Sequence, residues 1–77
     1  MTRWREATEM KDVEAVLHEG VWLVAHRTPG AATDLCTAQQ ARDRGNAAEG
    51  RGDTELAREL RDAADYVEQR NALLGPN

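Results

Sequence analysis

Three runs of periodic apolar residues divide the chain. In the first, Met10, Val13, Leu17, Val21 and Val24 follow spacings of three and four, and Val16 and Gly20 widen the stripe. Glu6, Glu9, Asp12 and Glu14 crowd the early turns, where negative charge suits a helix dipole. The pattern predicts one amphipathic helix from about residue 5 to about residue 26, capped at Thr2 or Thr8. A rival reading ends that helix at Gly20 and makes Val21 to His26 a strand, which the β-branched and aromatic residues there favour. A lone strand would leave its backbone groups unpaired, so helix is the preferred reading of residues 20–26.

Thr28-Pro29-Gly30 is the first break, since Pro29 biases the residues before it away from helix. Thr28 or Thr33 then caps a second helix over roughly residues 31–50. Its inner stripe is Leu35, Ala38, Ala41, Gly45 and Ala48, small enough for a neighbouring helix to come close. A glycine inside a helix costs about 1 kcal/mol relative to alanine, so Gly45 implies packing that a Cβ would block. Gly50 and Gly52 end this helix and Asp53 caps a third. Leu56, Ala57, Leu60, Ala63, Ala64 and Val67 form its broad apolar face, which Asn71 interrupts before Leu74. Arg58 with Asp62, and Arg61 with Asp65, are spaced as i,i+4 ion pairs. Gly75-Pro76 stops the helix. The expected fold is all-α: one domain over residues 1–77, a three-helix bundle in which helices two and three form an antiparallel hairpin.

That hairpin, over about residues 38–66, resembles a tetratricopeptide repeat, a helix–turn–helix motif. The residues that carry the likeness are Gly45-Asn46-Ala47 in the first helix, Gly52-Asp53 at the turn, and Ala57 and Ala64 in the second. Arg42-Asp43-Arg44-Gly45-Asn46 is similar to the opening of the peptide-binding type of repeat. The resemblance implies a protein- or peptide-binding role. It makes Arg42 and Asn46 candidate contacts to a ligand's carboxylate, with Gln39 and Glu49 on the same helix face.

Composition narrows the partner. The 77 residues allow at most one small domain, whose core supplies only about 3–5 kcal/mol of net stability without help. Cys36 is the single cysteine, so no internal disulfide exists to supply it. Association is therefore expected: a homodimer, or docking on a larger protein, with Trp4, Trp22, Val67 and Leu74 as the candidate interface. Ten basic against fourteen acidic residues give a net charge of −4, which repels phosphate backbones, so no nucleic-acid partner is expected. No apolar stretch follows Met1 and the longest apolar run, Val21 to Ala25, is too short for a membrane. A cytoplasmic protein is expected, and the alanine–arginine bias points to a GC-rich genome, bacterial or phage.

The residues with chemistry are sparse. His18 and His26 sit two turns apart on the expected first helix, about 12 Å along its axis. That spacing is too long for one zinc ion, and Cys36 lies elsewhere. No metal, cofactor or catalytic residue is expected. The expected function is a non-enzymatic protein–protein interaction module, a small adaptor or regulator. The alternatives are a helix-turn-helix-like nucleic-acid regulator and a small metal-binding or enzyme subunit.

Overall fold

The computed structural model describes residues 12–28 and 30–74. Trp4, the Thr2 and Thr8 caps, Met10 and the Gly75-Pro76 stop lie outside the described residues. The chain is not an all-α bundle. It runs through three strands, β1 (Val13–His18), β2 (Val21–His26) and β3 (Asp34–Cys36), and then two helices, α1 (Ala38–Gly50) and α2 (Thr54–Leu74). The strands form one antiparallel sheet in the order β1-β2-β3.

The expected first helix is therefore a hairpin. Glu19 and Gly20 both take positive φ, at 52° and 83°. Two such residues form a tight turn whose twist suits the strands on either side. The register then follows, with His18 opposite Val21, Leu17 opposite Trp22, and Val13 opposite His26. The objection to a strand at residues 20–26 fails because β2 has partners on both sides: β1 along its whole length, and β3 at Val24 to His26. Arg27 N–H donates to the Asp12 carbonyl at 2.7 Å and carries the pairing one step further.

The expected second helix also loses its first part. Asp34 to Cys36 is strand, and α1 begins after Thr37, not after Thr28 or Thr33. The Thr37 side chain accepts from Gln40 N–H at 3.2 Å, and the Gln40 side chain accepts from Thr37 N–H at 2.9 Å. That reciprocal pair is a capping box.

The turn between the helices is as compact as its glycine and aspartate require. Asp53 N–H donates to the Ala48 carbonyl and Gly52 N–H to that of Glu49, both at 2.9 Å, with Gly52 at φ 87°. This is the Schellman ending of α1. Asp53 then caps α2, its carboxylate accepting from Leu56 N–H at 3.2 Å.

Alternation assigns the two faces of the sheet. Val13, Ala15, Trp22, Val24 and Cys36 point to the helices. There Val13, Val24 and Cys36 meet Ala41, Leu60, Ala64 and Val67 in the core. Both helices lie on this one face. Alanine dominates their facing surfaces, and at Gly45 they pack tightly. An added Cβ there would lie 3.3 Å from the Ala57 carbonyl oxygen and 3.4 Å from Arg61 Cγ. The backbone crossing at Gly45 and the stripe of small residues thus have one cause.

Candidate functional site

The helical face expected to bind a carboxylate is already occupied by the protein's own side chains. Arg42 donates to Glu68 through both terminal nitrogens, at 2.7 and 3.1 Å, and to Asp65 at 2.7 Å. These bonds hold the Glu68 carboxyl below the ordinary glutamate range and raise Arg42 above its own. Asn46 and Glu49 both accept from Arg61 of α2, and Gln39 donates to Asp43 at 3.1 Å. Arg61 and Asp65 therefore reach across to α1 and do not pair with one another. The face is a ladder of polar contacts that joins the two helices above the Gly45 crossing.

The four expected interface residues also separate. Val67 is wholly buried in the core and Leu74 is exposed. Trp22 is half-buried, edge-on to the Tyr66 ring with centroids 5.8 Å apart, and the Arg70 guanidinium lies 5.3 Å from its centroid. Trp4 lies outside the described residues.

Two places that the sequence did not single out have the character of binding surfaces. The first is the outer face of the sheet. Glu14, Ala25 and Leu35 form one row across the strands, Val16 and Leu23 a second, and His18 and Val21 a third. Five of those seven residues are apolar, and Val21 and Leu35 are 48% and 43% exposed. The Arg27–Glu14 pair, at 3.6 Å, bounds one end of the face and the His18–Glu19 pair, at 3.7 Å, the other.

The second place is the cleft between the end of β2 and the helical turn. Arg44, from α1, donates through Nη1 to His26 Nδ1 at 3.0 Å and to Asp34 at 3.1 Å. The His26–Asp34 strand pairing sets both acceptors side by side beneath α1. Next to them a lobe of about 220 Å³ is lined by His26, Arg44, Ala47, Arg51 and Leu56. It continues into a second lobe of about 240 Å³ that adds Asp12, Arg27, Thr28 and Asp53.

His18 and His26, expected two turns apart on a helix, lie at opposite ends of the β-hairpin. Among the described residues, no group of three or more His, Cys, Asp or Glu side chains is placed to hold a metal ion. Cys36 is buried in the core. No described helix is long and apolar enough to cross a membrane.

No family model, curated protein or solved structure matches this chain. The tetratricopeptide likeness rests on the hairpin's own residues, and here that hairpin packs on a sheet where stacked repeats pack on further helices.

Proposed function

We propose that this chain is a non-enzymatic protein–protein interaction module, a small adaptor or regulator, that acts as a homodimer closed through the outer face of its sheet. One observation supports the reading. A sheet covered by helices on one side ordinarily turns a polar face to water. Here the outer positions are Val16, Val21, Leu23, Ala25 and Leu35, of which Val21 and Leu35 are exposed, Val16 and Leu23 half-buried and Ala25 buried. Exposed apolar surface bounded by charge is the usual character of a docking site.

Charge argues for a second copy as the occupant. A two-fold axis running across the strands stacks the Glu14–Arg27 end of one chain over the His18–Glu19 end of the other. Glutamate then meets histidine, and arginine meets glutamate, around an apolar centre. The same patch serves both subunits, as a closed two-fold dimer requires. Two sheets so stacked sit about 10 Å apart with interleaved side chains. The dimer would present its helices, with their polar ladder, to other proteins.

Light scattering on the wild type and on Val21→Lys and Leu35→Glu tests this. Both residues are exposed in the single chain, so neither change touches the core. The wild type is expected to be a dimer, and each variant a monomer with unchanged circular dichroism. A monomeric wild type contradicts the proposal.

A further inference from the structure

The lobe between β2 and the helical turn has an unusual lining for an acidic chain. His26, Arg44, Ala47, Arg51 and Leu56 supply two guanidinium groups, an imidazole and two apolar side chains, and no carboxylate. Fourteen acidic residues are spread over the sequence, so a lining without them is a local feature of the fold.

Protonation follows from the hydrogen bonds. An arginine carries donors and no acceptor, so in the contact with Arg44 it is His26 Nδ1 that accepts. The ring proton is then on Nε2, which leaves the imidazole with one donor to offer. Arg44 is balanced by Asp34. Arg51, at the end of α1, makes no ion pair or side-chain hydrogen bond among the described residues. Arg51 therefore keeps its own charge unpaired and several N–H donors unused, with the Asp12 and Asp53 carboxylates lining only the adjoining lobe. Arg42, on the ladder, has its charge already met by Asp65 and Glu68.

We propose that this lobe binds a small aliphatic carboxylate. A carboxylate brings the single negative charge that Arg51 lacks and two oxygens that match a guanidinium fork. It also accepts from His26 Nε2. Ala47 and Leu56 cover the short hydrocarbon part of the ligand. A phosphate dianion brings one charge more than the lobe balances and gains nothing from the apolar walls. The volume, about 220 Å³, is below that of ordinary drug-sized pockets and fits a ligand of a few heavy atoms.

The test is an amide chemical-shift titration of the full chain with sodium butyrate at constant ionic strength, with 1-butanol, sodium phosphate and sodium chloride as separate arms. Butyrate is expected to give saturable shifts at His26, Ala47, Arg51 and Leu56, and the other three are not. Arg51→Gln is expected to weaken butyrate at least tenfold. Ala47→Leu, at an exposed position of α1, fills the lobe without changing charge and is expected to do the same. Arg58→Gln, outside the lobe, leaves binding unchanged. The assignment is overturned by saturable butanol binding at the same amides, by phosphate binding as tight as butyrate, or by full affinity in either lobe variant. A butyrate titration that never saturates also overturns it.

Discussion

The Asn71 side chain bonds both backbone groups of Trp22: Oδ1 accepts from the Trp22 N–H at 2.8 Å, and Nδ2 donates to the Trp22 carbonyl at 3.0 Å. Trp22 faces Leu17 one step beyond the residues that flank the tight turn. In that register its N–H and C=O point away from β1. β3 pairs only with Val24 to His26 and never reaches them. The amide thus stands in for one residue of a missing strand, and the length of α2 is what delivers it there.

Removing that amide should cost stability without changing the fold. Asn71→Ala leaves a part-buried donor and acceptor unpaired, a loss of about 1–3 kcal/mol. Urea unfolding measures it. Asn71→Asp should recover little, because it keeps the acceptor and replaces the donor with a second oxygen facing the carbonyl.

Gly45 and Gly50 should respond in opposite directions. A side chain at Gly45 meets the Ala57 carbonyl and Arg61, whereas one at Gly50 meets nothing within 4 Å. Gly45→Val is expected to push the helices apart and cost about 1–3 kcal/mol by overpacking. Gly50→Ala is expected to gain up to about 1 kcal/mol from helix propensity. Thermal melts of the two variants check the sign.

Acid should weaken the contact between the helices. Arg42 lowers the Glu68 carboxyl below its ordinary value, chiefly through hydrogen bonds and then through charge. A lowered folded value means that the ionised carboxylate stabilises the fold at every pH above the ordinary glutamate range. That contribution disappears as pH falls through the folded value. Glu68 is exposed and Arg42 partly so, and the effect is small and salt-sensitive. Side-chain NMR titration should find Glu68 below the ordinary glutamate range, and Arg42→Ala should return it toward that range.

The helical half of the fold was legible because its signals are local. Asp53, Gly52, Gly45 and the stripe from Leu56 to Val67 each act within a turn or two. The sheet was hidden for a physical reason. A half-buried strand announces itself by alternation, but β1 and β2 carry apolar residues on both faces. Val13, Ala15, Trp22 and Val24 face the helices, while Val16, Val21, Leu23 and Ala25 face away. Superposed, the two sets produce spacings of three and four that mimic a helix. The turn added no warning, since Glu19-Gly20 is not the usual Asn-Gly. β3 has three residues, too few for any period to show.

The candidate site was less legible than the fold. No local spacing shows the partners of Arg42 and Asn46, because Asp65, Glu68 and Arg61 lie on the other helix. Asn71 read as a break in a stripe because its partner is 49 residues away. The lobe around Arg51 joins a strand end to a helical turn, and no spacing in the sequence brings His26 to Arg51. The same both-sided apolar pattern that hid the sheet is the one clue to its outer face.

The central claim is that this outer face joins two copies of the chain. Isotope-filtered NOE spectroscopy on a mixture of labelled and unlabelled protein tests it most directly. Intermolecular contacts are expected among the methyl groups of Val16, Val21, Leu23 and Leu35, with none from Leu73. Intermolecular contacts centred on Leu73 and Leu74, or none at all at millimolar protein, would contradict it.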